Sequence, residues 1–168
     1  MSTERPPRHF QEELEQLKAR LLEMGGLAED RLRLAVRGLV ERDLAVVDKV
    51  LVGDTAINQL HIEIDDRCFK LLALHQPMAV DLRSIVSAVK INTDLERVGD
   101  LAVNIAEAAG RYLEHPPVKE LIDIPRMADI AQEMLRDALD AFVRRDIALA
   151  QSVLDSDDKR DTLKTLAF

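Results

Sequence analysis

The feature that most constrains this chain is that part of it occurs twice. Sliding the sequence along itself by about 103 positions lays Met24 to Leu60 over Met127 to Leu163 without a gap, which marks a duplicated structural unit. Met24, Ala28, Leu32, Ala35, Val50, Leu51 and Leu60 meet the same residue in Met127, Ala131, Leu135, Ala138, Val153, Leu154 and Leu163. Arg42-Asp43 returns as Arg145-Asp146, so the same inter-helix corner is written twice. Whatever one unit folds into, the other must begin in the same way.

The unit is helical. Phe10, Leu14, Leu17, Leu21 and Met24 recur at alternating steps of four and three among charged residues, the seam of an amphipathic helix. Gly25-Gly26 weakens this helix without ending it, because Leu27, Ala28, Leu32, Ala35, Val36, Leu39 and Val40 carry the pattern to about Glu41. Asp43 is placed to cap a second helix, whose apolar residues Leu44, Val47, Leu51, Ile57, Leu60, Ile64, Phe69 and Leu72 run to His75. Gly53 is a weak point within it. His75-Gln76-Pro77 stops that helix, since a residue before proline is pushed out of the α region. A third helix is expected from about Ala79 to Tyr112, a fourth from Ile124-Pro125, and a fifth from Ile147.

The two units differ in extent. After Leu60 the first continues through a whole third helix, whereas after Leu163 only Lys164 to Phe168 remain. The expected architecture is therefore all-α: tandem three-helix bundles with long antiparallel helices, the second incomplete, about five helices in total. Residues 9–115 form the first repeat, and 119–168 a partial second repeat without its third helix. A two-helix hairpin leaves an apolar stripe uncovered. Leu135, Leu139, Phe142, Val143 and Val153 should pack on the first unit or on another chain.

Composition narrows the function classes. A net charge of -8 and the lack of a Lys/Arg cluster argue against direct nucleic-acid binding, which needs cations to neutralise phosphates. Cys68 is the single cysteine, which leaves no disulfide framework and reads as a buried thiol. No apolar run approaches a membrane span, and the N-terminus has no apolar signal core, so a cytoplasmic protein is expected.

One stretch departs from what a plain bundle needs. Asn92, Glu96 and Asp100 stand four residues apart in the third helix, which stacks them on one side together with Val103 and Glu107. Ile91, Leu95, Val98, Leu101, Ala102, Ile105 and Ala109 occupy the other side. Leu82, Ile85, Val86 and Val89 lie where the acids later stand, so the apolar stripe is expected to shift around the helix midway, with the carboxylates outward. Two carboxylates about 5–6 Å apart at Cβ either form a wet surface or converge on a hard or borderline cation. Gly99 between them allows close approach of a helix or a ligand. No histidine has Glu three positions before it, which excludes a ferritin-like dinuclear site, and there is no Gly-rich phosphate loop or nucleophile elbow. The chain reads as a non-enzyme. Two alternatives stay open: a histidine phosphotransfer bundle using His61 or His75, or a structural oligomerising bundle.

The stretches Leu74-His75-Gln76-Pro77-Met78-Ala79-Val80-Asp81-Leu82-Arg83 and Ile91 to Ala106, in that order and separation, closely resemble the PhoU family of the bacterial phosphate-specific transport system. The resemblance runs from about Phe10 to Leu163. It implies two similar three-helix bundles, each with a Glu/Asp-x-x-x-Asp motif on its third helix that binds iron or zinc clusters in some members. Glu96 and Asp100 match the first copy of that motif as metal ligands; the second copy would fall beyond Phe168. The resemblance further implies a negative regulator of phosphate uptake and of the phosphate-starvation response. Such a regulator acts as an adaptor between the phosphate ABC transporter and its sensor histidine kinase, and a homodimer is expected.

Overall fold

A computed structural model of the protein describes residues 8–52, 55–117 and 120–156. The elements are α1 (Arg8–Glu41), α2 (Leu44–Val52), α3 (Thr55–His75), α4 (Ala79–Leu113) and α5 (Asp123–Arg144), and residues 147–156 are helical as well. There is no strand among the described residues. α1 runs in one direction, α2 and α3 return beside it, α4 runs parallel to α1, and α5 returns along α1. Contacts fix both ends of this arrangement: His75 Nε2 meets Glu13 Oε2 at 2.9 Å, and Arg42 reaches the carbonyls of Leu113 and His115. α1 is the central element, touched by α2, α3, α4 and α5, whereas α5 packs on α1 alone among the named helices.

The seam expected on α1 is the core. Phe10, Leu14, Leu17, Leu21, Met24 and Ala28 are all buried and join Ile57, Leu60, Ile64, Cys68 and Leu71 of α3 and Ile85, Ala88 and Leu95 of α4. Each fully buried aliphatic of Leu or Ile size contributes about 1.5–3 kcal/mol, so this cluster dominates cohesion. A second cluster at the other end gathers Ala35, Val47, Val50, Ala102, Ala106 and Ala109. There the contact is made by small side chains, which bring α4 close to α1 and α2.

The second expected helix arrives as α2 and α3, and Gly53 lies outside the described residues. Its buried set differs from the expected stripe: Val46, Val50, Cys68 and Leu71 are buried, while Leu44, Leu51 and Phe69 are exposed. The reason is that one seam, Val47, Val50, Ile57, Leu60, Ile64, Cys68 and Leu71, runs through both helices at steps of three, four and seven, and the hydropathy stripe departs from it at Leu44, Leu51, Phe69 and Leu72.

Gly25 and Gly26 have different environments despite their adjacency. A Cβ on Gly25 would lie 2.2 Å from Leu139 Cδ1, so the glycine is the notch through which α5 enters the main core; Gly26 has nothing within 4 Å. Leu139 is buried, with Leu135 and Phe142 packed against the same cluster. The apolar residues of the second unit are thus partly covered by the first, as the pattern required.

The duplicated corner repeats in atomic detail. Arg42 and Arg145 both adopt the left-handed conformation, with φ 55° and 58°. The following amide closes back over five residues in each case, Asp43 N–H to the Gly38 carbonyl at 3.0 Å and Asp146 N–H to the Ala141 carbonyl at 2.9 Å. Asp43 Oδ1 then accepts from the amides of Ala45 and Val46, and Asp146 Oδ1 from that of Leu149, so each aspartate caps the next helix.

Candidate functional site

The face that carries Glu96 and Asp100 is set by how α4 is seated. Its buried residues are Ile85, Ala88, Asn92, Leu95, Gly99, Ala102, Ala106 and Ala109, an unbroken alternation of three and four. This corrects the expectation that the stripe shifts midway. The seam runs straight, Leu101, Leu82 and Val86 lie outside it and are exposed, and a polar Asn92 and a bare Gly99 interrupt its hydropathy without interrupting its geometry.

Asn92 therefore does not share an outward face with the acids. It is fully buried, and its Nδ2 donates to the His61 carbonyl and to Asp65 Oδ1, both at 2.9 Å. Each step of four residues turns about 40° around a helix of 3.6 residues per turn, so a row at that spacing slants across the surface. Asn92 lies in the seam, Glu96 is half-buried at its rim, and Asp100 is exposed. Gly99 is buried against α3, where an added Cβ would sit 3.1 Å from Ile57 Cδ1; its role is close helix approach.

The polar network behind this row is one that periodicity missed. Asp65 accepts from Asn92 and faces His61 Nε2 at 3.7 Å, while His61 Nδ1 and Asn92 Oδ1 are buried without a hydrogen-bond partner. The available signal was the three-four spacing through position 92, hidden because an asparagine was read with the acids that follow it. Cys68 is buried as expected, and its thiol is pushed up to about 12 by burial and, secondarily, by Asp65. His75, the other candidate phosphoacceptor, is held by Glu13 and packs against the Phe10 ring at 5.1 Å between centroids.

Glu96 and Asp100 remain as two carboxylates one turn apart on an accessible surface. Hard oxygen donors of this kind suit a divalent or trivalent cation. Among the described residues, no three His, Cys, Asp or Glu side chains gather to hold a metal ion. The donor type fits an iron or zinc site, but the donor number does not close one; further ligands have to come from outside the described residues. No described helix is long and apolar enough to cross a membrane.

Comparison with known proteins accounts for both the repeat and the fold. A family model described as PhoU domain matches residues 21–109 and again 124–168, two stretches whose starts are 103 residues apart. A phosphate-specific transport system accessory protein PhoU homolog from Aquifex aeolicus is 38% identical over 151 residues, covering 90% of this chain and 68% of its own length. A homolog of the same description from Pseudomonas putida is 41% identical, covering 90% of this chain and 60% of its own length. The crystal structure of PhoU from Pseudomonas aeruginosa superposes with a TM-score of 0.88 at 38% identity, over 94% of this chain and 76% of that one. With both repeats matched, and whole-chain likeness to solved PhoU structures, the chain belongs to the PhoU family.

Proposed function

We propose that this protein is a non-enzymatic accessory component of phosphate-specific transport. It acts from the cytoplasmic side as a negative regulator of phosphate uptake and of the phosphate-starvation response. In this reading it is an adaptor that links the phosphate ABC transporter to its sensor histidine kinase, and it works as a homodimer. The observation that carries the reading is the match of both repeats to the PhoU domain model, together with relatives named as phosphate-specific transport accessory proteins. The acidic balance suits protein partners better than nucleic acid. Deleting the gene should raise phosphate uptake and switch on phosphate-starvation genes in phosphate-rich medium; unchanged uptake and expression would reject the adaptor role.

Within that proposal, Glu96 and Asp100 are the metal ligands contributed by this chain, with iron or zinc as the ion. When bound, the metal would supply a positive charge that removes the repulsion between the two carboxylates and ties α4 to whatever brings the remaining donors. Asn92 anchors the row from behind by fixing α4 against α3 through His61 and Asp65. Elemental analysis of purified protein beside the Glu96→Ala, Asp100→Ala double variant tests the assignment. Metal retained at equal stoichiometry in both would remove these residues from the site.

A further inference from the structure

The outer side of α4 carries a charge pattern that neither the acid row nor the core explains. The lysines and arginines of this helix are Arg83, Lys90, Arg97 and Arg111, which fall at one position of a seven-residue repeat, with Asn104 at the remaining step. All five side chains are exposed. None of the four cations makes an ion pair or a side-chain hydrogen bond among the described residues. Acids stand at the spacings where helical pairs form: Asp94 is four residues after Lys90 and three before Arg97, and Glu107 is four before Arg111. α1 uses the same spacings to pair Lys18 with Glu15, Arg20 with Glu23, Arg33 with Asp30 and Arg37 with Glu41. In a chain of net charge -8, α4 thus keeps a stripe of positive charge available to something else.

We infer that this stripe docks an acidic α-helix of a partner protein, lying along α4 with carboxylates that repeat every seven residues. Seven residues advance a helix by about 10.5 Å, so the stripe runs about 42 Å from Arg83 to Arg111. Each step of seven also falls about 20° short of two full turns, so the row winds slowly around α4. A second helix at the shallow left-handed crossing of a coiled coil follows such a row, whereas a flat bilayer meets only part of it.

The flanking acids narrow the partner further. Asp94, Asp100 and Glu107 are exposed beside the stripe, so a uniformly negative surface such as a membrane or a nucleic acid is repelled where it is also attracted. A helix can set its carboxylates opposite the cations alone. Val86 and Leu101, 43% and 56% exposed, border the row and add apolar contact. The stripe requires no metal at Glu96 and Asp100.

The test uses the full chain at low ionic strength with a chelator present, and follows binding by fluorescence anisotropy. The probe is a labelled alanine-rich helical peptide with glutamate at every seventh position, and its control has the same composition with the glutamates spread around the helix. Expected are saturable binding of the probe that weakens as salt is added, binding of the control weaker by about fivefold or more, and a loss of about tenfold for Lys90→Glu, Arg111→Glu. The Lys49→Glu, Arg126→Glu variant, which reverses exposed cations away from α4, should bind as the parent does. Circular dichroism and the melting temperature establish that each variant is folded, and Lys90→Gln, Arg111→Gln serves if the double reversal is not. Absence of binding, equal binding of probe and control, or an equal loss in the Lys49→Glu, Arg126→Glu variant overturns the inference. So does tighter binding to phosphatidylglycerol vesicles or duplex DNA than to the probe, lost in the α4 variant, which would make the stripe a lipid or nucleic-acid contact.

Discussion

The first and second hairpins start from the same sequence and end in different environments. At the first, Arg42 is engaged by two carbonyls and an aromatic ring, and Ala35, Val47 and Val50 are sealed under α4. At the second, Arg145 has the same left-handed backbone and the same capping aspartate, yet Ala138, Ala150 and Ile147 face outward. Local chemistry makes the corner, and a third helix decides whether the corner becomes core.

That comparison can be broken most directly at Leu139, which among the described residues is the one large side chain of the second unit buried in the main core. Leu139→Ala should destabilise the protein by about 2–5 kcal/mol and free α5 from α1, whereas the equivalent Val36→Ala should cost about 1–3 kcal/mol. Chemical denaturation, with limited proteolysis mapping the first cleavage to α5, checks both. An equal cost at the two positions would mean that α5 is not held by this notch.

The interior of the first unit can be probed from the alkaline side. The thiol of Cys68 titrates at about 12 in the folded chain against an ordinary 9.0, so the neutral form is favoured by folding. The associated stability is fully present below pH 9 and is lost as pH rises from 9 towards 12. Cys68→Ala should flatten that part of the stability profile, and a thiol reagent should react with the native protein only as fast as it opens.

The corners themselves should separate next. Arg42→Ala removes charged hydrogen bonds to two carbonyls and should cost about 1.5–3 kcal/mol, while Arg145→Ala, with its exposed and longer contacts, should cost under about 1 kcal/mol. Arg145→Gly relieves the left-handed backbone, and thermal melting should show it equal to or more stable than the parent. The smallest effect contrasts two neighbours. Gly26→Ala should stabilise by about 0.5–1 kcal/mol through helix propensity, and Gly25→Ala should forfeit that gain because its methyl meets Leu139.

Much of the fold was legible because helices announce themselves by period. The α1 seam from Phe10 to Met24, the stop at His75-Gln76-Pro77 and the bounds of α4 and α5 all follow from local pattern. The misreadings share one cause. Hydropathy counts Asn92 as polar and Gly99 as neutral and so bends the α4 seam, although both positions lie on it. Asn92 satisfies its amide across the interface with His61 and Asp65, and no property of residue 92 alone reveals that partner. Phe69 fails in the opposite sense: it continues the apolar pattern, yet it lies on the outer side of α3 because the buried seam passes through its neighbour Cys68.

The candidate site divides along the same line. Its acids, their spacing and the family resemblance were readable from Ile91 to Ala106, because a short helical motif is local. The slant of the row, with Glu96 at the rim and Asp100 exposed, depended on which residues α4 buries. By itself the sequence determined the helices, the corners and the duplication, since hydrogen bonding and capping act within a few residues. Only the tertiary structure decided that Gly25 admits Leu139, that Asn92 turns inward, and that α4 covers Ala35, Val47 and Val50 of the first hairpin. Those outcomes depend on contacts between residues far apart in the chain, where packing and burial are settled jointly by all the helices that meet.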